Sequence, residues 1–219
     1  MRISHLFILL AASAMLTACD FLDEYNPNSV TVGNYYTSEE DIVASLNGVY
    51  TSLTQSYVAD NYHYFTDVRA NATVVTNSGA NSGIPYQFYN YTLTEENVYV
   101  YNRYSQLYKI ISRANTLFAH LGDVSYATPS ARDTYEAEAR FLRALSYYWL
   151  VTEWGDVPLV LKVLESTEEV RANNYRRPKA EIYQAIFDDL KYVTESPLLD
   201  VQPASACGKV SKAAAWALW

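Results

Sequence analysis

Residues Tyr135–Val160 read YEAEARFLRALSYYWLVTEWGDVPLV. Ala137, Phe141, Ala144, Tyr148 and Val151 step by 4, 3, 4 and 3 residues, which places them on one face of an α-helix. Leu142, Leu145 and Trp149 form a second row beside them. So wide a stripe suits a helix packed between two neighbours, and the small Ala137 and Ala144 admit a close approach. Glu136 and Arg140 stand one turn apart and can pair at the surface for about 0.2–0.5 kcal/mol. Arg140 and Arg143 sit among core residues, which assigns them to buried carbonyls or carboxylates rather than to a ligand. Gly155 stops the helix, and Asp156-Val157-Pro158 turns the chain into a short extended piece, Leu159-Val160-Leu161.

Outward from this helix the same period recurs. Leu107, Ile110, Ile111, Ala114, Leu117, Phe118 and Leu121 mark a preceding helix that stops at Gly122. Thr92 and Glu95 have capping-box spacing for its start, with Thr94 as a rival cap. Ser38 caps an earlier helix whose first turn is acidic and whose apolar face is Ile42, Leu46, Val49, Tyr50 and Leu53. Ile182, Ile186, Leu190 and Val193 follow Pro178 in a fourth helix, closed by Pro197. KVSKAAAWALW, from Lys209, starts a fifth. The helices after residue 92 come as pairs. The expected fold is therefore mostly all-α, with tetratricopeptide-like helix pairs forming a scaffold over residues 38–219, plus irregular loops and short extended segments. The spacing is too irregular for a 34-residue repeat, and periodicity alone does not separate a solenoid from a bundle.

Residues 1–18 read as a leader: Arg2, an apolar run Leu6–Leu16, then small residues. Leu16-Thr17-Ala18-Cys19 resembles a lipobox, with cleavage before Cys19 and lipid on its thiol and amine. The alternative is an ordinary signal peptide with a chance cysteine. Residues 19–37 are polar and turn-rich, a lipidated tether. Half the residues are hydrophobic and 18% are charged, a globular composition. The net charge of −8 argues against nucleic acid as a partner. Cys207 is the only other cysteine, so no disulfide framework or thiolate metal site is expected. His5, His63 and His120 are scattered, and no GxSxG, HExxH or phosphate-binding loop occurs. No catalytic residue, metal or cofactor is expected. The acidic residues offer no pair that stands out as a glycosidase dyad.

Ser56–Tyr91 has no helical period; TVVT at Thr73–Thr76 reads as a short strand and NSGANSGIP at Asn77–Pro85 as a loop. Residues Tyr57–Tyr108 hold ten of the 21 tyrosines, with Asn61, Asn71, Asn77, Asn81, Asn90, Asn97 and Asn102 among them. Sugars need this mixture, because their C–H faces lie on aromatic rings while their hydroxyls pair with Asn, Asp or Arg. Loops on a rigid scaffold are also where binding residues concentrate. Tyr86 and Tyr89 are the candidate stacking platforms, and Asn81 and Asp67 the candidate hydroxyl partners. The plainer alternative is that these tyrosines seal the loops onto the helices.

EARFLRALSYYWLVTEWGDVPLV (Glu138–Val160) resembles the hallmark segment of the SusD/RagB family of outer-membrane nutrient-binding lipoproteins. Other parts agree in order. They are Cys19-Asp20-Phe21-Leu22-Asp23 with Asn26-Pro27, Tyr108-Lys109-Ile110-Ile111 with Ala114-Asn115, Tyr183, Ile186, Asp188, Asp189 and Leu190, then Gly208-Lys209-Val210 with Ala213–Leu218. The resemblance implies a cell-surface lipoprotein, anchored to the outer membrane. It would bind an oligosaccharide or other nutrient and act as the lid of a TonB-dependent, SusC-like transporter. It assigns no ligand residue in the loops. Family members are usually more than twice this length, so the chain reads as an N-terminal portion whose last helix, ending at Trp219, lacks a neighbour. Two other classes stay open: a helical adaptor that docks a protein without sugar, and a carbohydrate-active enzyme.

Overall fold

The computed structural model describes residues 35–79 and 83–219. Cys19, the leader, most of the tether and Asn81 lie outside the described residues. Seven α-helices are described: α1 (Glu39–Leu53), α2 (Tyr86–Tyr89), α3 (Val98–His120), α4 (Ala131–Trp154), α5 (Thr167–Asn173), α6 (Lys179–Glu195) and α7 (Lys212–Leu218). A π-helical turn spans Tyr64–Val68. Two short strands, β1 (Val157–Pro158) and β2 (Arg176–Arg177), pair antiparallel with Val157 opposite Arg177. The fold is mostly helical, as the periodicity implies.

Helix starts follow local chemistry. The Ser38 hydroxyl accepts the Asp41 N–H at 3.3 Å while the Asp41 carboxylate accepts the Ser38 N–H at 2.9 Å, a reciprocal capping box. The long helices then pack by their apolar rows: α4 lies against α1, α3 and α6, α3 also lies on α1, and α7 closes on α6. Ile42, Leu46, Leu107, Ile110, Leu117, Leu142, Leu150, Ile182 and Leu190 are all buried in one continuous core.

The face of α4 departs from the sequence reading. Leu142, Tyr147 and Leu150 join Ala137, Ala144 and Val151 in the buried set, whereas Phe141 is only half-buried and Tyr148 is 38% exposed. The cause is polar. Glu136, Glu138, Arg143 and Ser146 are buried as well, so the packed sector is centred on Arg143, Tyr147 and Leu150, across the helix from the arc between the two apolar rows, where Phe141 and Leu145 are half-buried and Tyr148 and Thr152 exposed. Counting apolar residues alone misses it.

Those buried polar groups complete one another. Arg143 donates Nε and Nη2 to the two oxygens of Asp189 at 2.8 Å each, and Nη1 to Asn115 Oδ1 at 2.7 Å and to the Leu161 carbonyl at 3.2 Å. Arg140 bridges Glu136 and Asp189, both at 2.8 Å. The expected Glu136–Arg140 pair is thus part of a buried network rather than a surface contact. Charges taken out of water persist only with such complete pairing, and the fork geometry of Arg143 against Asp189 fixes the register of α6 on α4. On the other side of α4, Glu138 accepts the Tyr50 hydroxyl at 2.6 Å, and that hydroxyl accepts the Val210 N–H at 3.0 Å.

After α4 the chain turns back at Gly155, whose φ of 73° lies in the left-handed region that favours glycine. The returning segment is tied to side chains. Tyr108 donates to the Pro158 carbonyl at 2.6 Å, Tyr147 donates to the Val160 carbonyl at 2.9 Å, and Asn115 Nδ2 donates to the carbonyls of Val160 and Lys162 at 3.0 and 3.2 Å. The strand itself falls at Val157–Pro158, before the Leu159–Leu161 piece expected to be extended.

Two further expectations are corrected. Thr73–Thr76 is not a strand: it has no ladder partner among the described residues, and all but Val75 are exposed. Helix α3 starts at Val98 rather than near Thr92 or Thr94, because Asn97 supplies a better-placed cap. Tyr36 packs with the helical unit. The Tyr36 ring stacks on His120 at 4.0 Å. Among the described residues, no helix is long and apolar enough to cross a membrane.

Candidate functional site

Between α1 and α3 the chain builds a lobe of irregular backbone over a small aromatic core. Phe65, Val68, Phe88 and Tyr99 are buried in it, apart from the main core. Phe88 meets Phe65 edge-on at 4.9 Å and Tyr64 at 5.7 Å, and Tyr99 meets Tyr57 edge-on at 5.4 Å. Such rings contribute area and orientation together. Burial, and then the neighbouring Tyr99, push the Tyr64 phenol above its usual range.

Two buried polar side chains fasten the lobe. Asn97 accepts the N–H groups of Tyr99 and Val100, capping α3, and its amide donates to the Ile84 carbonyl at 3.1 Å and to Gln87 Oε1 at 2.9 Å. Arg103, fully buried, donates to both oxygens of Glu153 at 2.7 and 2.6 Å and to the carbonyls of Tyr57 and Val58 at 3.1 and 3.3 Å. Its guanidinium also lies over the rings of Tyr62, Phe65 and Trp149 at 5.0, 4.8 and 5.5 Å. One side chain thus joins the lobe to α4.

Three of the four sequence-derived candidates fall on this lobe. Tyr86 and Tyr89 flank the buried Phe88 on α2, half-buried, with ring centroids 5.6 Å apart and planes inclined by 47°. Asp67 is exposed on the π-helical turn, which packs against α2. Asn81 is not described. A groove of about 400 Å³ runs beside α2, lined by His63, Tyr64, Val68, Thr73–Asn77 and Pro85.

The interleaved asparagines largely serve the backbone instead. Asn61 donates to the Ser56 carbonyl, Asn77 accepts the Gly79 N–H, Asn90 accepts from Thr92, and Asn97 is the cap. Asn71 takes a left-handed φ of 56°. This is turn chemistry, and composition does not distinguish it from ligand chemistry. The sequence reading also passed over Tyr91. Its φ is 59°, the residue is 67% exposed, and its hydroxyl donates to the Arg69 carbonyl at 3.0 Å. A tyrosine held in left-handed backbone is strained, and such positions cluster where ligands are clamped. The Asn90-Tyr91-Thr92 turn hinted at the bend but not at the ring's exposure.

A helix-pair scaffold that carries an aromatic loop lobe on its flank is the class this architecture defines. A family model described as starch-binding and associating with the outer membrane matches residues 20–219, and the chain belongs to this SusD-like family. It is 27% identical to SusD-like protein P2 of Formosa agariphila over 98% of its length and 25% identical to a SusD-like protein of Bacteroides ovatus over 88%. These alignments cover 41% and 35% of the relatives, so the chain spans about two-fifths of the curated relatives it matches. Among solved structures, a laminarin-binding SusD-like protein superposes with a TM-score of 0.71 at 28% identity, covering 84% of this chain and 39% of that one. A SusD superfamily protein from Parabacteroides distasonis gives 0.65 at 24% identity, covering 87% and 39%, a likeness of fold alone.

Proposed function

We propose that the chain belongs to a non-catalytic, glycan-binding lipoprotein of the outer membrane, anchored through Cys19, that passes oligosaccharide to a TonB-dependent, SusC-like transporter. The observation that carries this reading is the Tyr86–Tyr89 pair on a fastened lobe of a SusD-like scaffold. The two inclined rings offer apolar faces to sugar C–H groups, with Asp67 and the groove beside α2 within the same lobe. The relative that binds laminarin makes laminarin-type oligosaccharides the first to test. In the proposed division, residues 1–18 are the leader, 19–37 the lipidated tether and 38–219 the helical unit.

Calorimetric titration with laminarihexaose and maltohexaose tests the site. Tyr86→Ala and Tyr89→Ala are each expected to weaken binding by about 1 kcal/mol, the scale of one aromatic contact, without lowering the melting temperature. Full affinity in the double variant would place the site elsewhere. Fatty-acid labelling tests the anchor: Cys19→Ala is expected to abolish the label, and its persistence would remove the anchor from the account.

A further inference from the structure

At the seam where the lobe meets α4 lies a cleft of about 300 Å³, lined among others by Arg69, Thr94, Glu95, Glu153 and Trp154. It is distinct from the groove beside α2. The geometry points to this cleft as a second, end-on subsite that receives a neutral pyranose ring of the bound glycan. The inference rests on the glycan-binding reading above.

Three observations define the ligand. Trp154 is the first: it meets Tyr104 edge-on at 5.2 Å and Phe65 at 6.3 Å, so its indole is held by the scaffold on one side and the lobe on the other. Phe65 and Phe88 lie buried behind it, so the half-buried indole is the aromatic surface the cleft offers to a sugar C–H face. The volume is at the lower end for small-molecule sites, which fits one or two rings rather than a long chain.

Glu153 is the second. Each of its oxygens accepts one bond from the buried Arg103, so the carboxylate is held at both oxygens and its charge is already balanced. A carboxylate oxygen has a further lone pair, and these remaining sites suit hydroxyl donors. They do not suit a cation, although aromatic walls beside a carboxylate otherwise attract one. The rim is the third. Arg69 and Glu95, both exposed, put one charge of each sign at the mouth, and Thr94 adds a hydroxyl. Tyr91 braces the Arg69 backbone from its left-handed position. Paired donors and acceptors at the edge of an aromatic slot match a polyol with an apolar face.

The test uses the whole chain with ¹⁵N-labelled tryptophan. The four indole N–H signals are assigned by single Trp→Phe variants. Laminarihexaose and maltohexaose are the probes, and choline chloride is the control. The expected result is that an oligosaccharide moves the Trp154 signal and choline does not. Arg69→Ala with Glu95→Ala, both at exposed positions, is expected to weaken that oligosaccharide about tenfold, the loss of one or two hydrogen bonds. Tyr86→Ala weakens it separately. Binding that depends on Tyr86 but leaves Trp154 still and the rim variant at full affinity would overturn the subsite and leave the glycan reading intact. A Trp154 shift with choline would overturn the neutral-sugar assignment. No response of any kind to either oligosaccharide would count against the glycan reading and the subsite together.

Discussion

In the scaffold, α3, α4 and α6 satisfy their backbone hydrogen bonds internally, and their side chains have only to pack. In the lobe, most of the backbone lies outside regular helices, and its groups are met by turns, by Asn97 and by Arg103. The scaffold core is a long run of aliphatic residues around the Arg143–Asp189 pair. The lobe core has four buried apolar residues, three of them aromatic. The first construction is cooperative and register-locked. The second is a surface whose shape depends on a few polar fasteners, which suits a place where loops present side chains to a ligand.

That contrast can be broken by mutation. Asp189→Ala leaves the buried Arg143 guanidinium without its carboxylate and Arg140 with Glu136 alone, and is expected to cost about 3–5 kcal/mol in urea denaturation, with all helices melting together. Replacing the whole pair by Arg143→Met with Asp189→Leu should recover much of that loss, because the charges then leave together. A loss below about 1 kcal/mol for Asp189→Ala alone would remove the network from the account of α6 docking.

Arg103→Ala is the corresponding break in the lobe. It leaves Glu153 and two carbonyls without their donor and is expected to cost about 2–3 kcal/mol. Hydrogen exchange should rise over residues 56–97 while α4 and α6 stay protected. Uniform loss across the helices would show that lobe and scaffold unfold as one. Asn97→Ala is expected to cost less, about 1–2 kcal/mol, through the lost cap and the released Ile84 carbonyl. Its exchange signature should be confined to α2 and the first turn of α3.

Acid gives the smallest contrast. The Thr37 N–H and then the Ser38 hydroxyl hold the Asp41 carboxyl below its usual range, and the Ala127 N–H and then the Tyr135 hydroxyl do the same for Glu39. A depressed folded pKa contributes stability above the unfolded value of about 4, and that contribution is lost as the pH falls through the folded value. The first turn of α1 should therefore lose exchange protection on acidification before α4 does. Asp41→Asn should remove the Asp41 part of that pH dependence and leave the Glu39 part.

The scaffold was legible because its signals are periodic. Ile42, Leu46, Val49, Leu107, Ile110, Ile182 and Leu190 all fall where the 3.6-residue spacing puts them. Arg140 and Arg143 were assigned to buried partners from their neighbours alone, and both have such partners. Phe141 and Tyr148 were misplaced because Glu136, Glu138 and Arg143 share the buried sector, which an apolar count does not register. In the lobe, Tyr86, Tyr89 and Asp67 came from composition, which marks a region but not a geometry. Asn97 looked like one more sugar-type asparagine, yet it is a cap whose second role depends on Ile84 and Gln87 folding back over it. Arg103 carries no local mark, since its partner Glu153 lies on another helix.

Hydrogen exchange with and without the best-retained oligosaccharide from a glycan array tests the central claim most directly. The account predicts slower exchange over residues 56–97, with α6 and the buried half of α4 unchanged. Slower exchange confined to α6 and α7, or no oligosaccharide retained by the array, would contradict it.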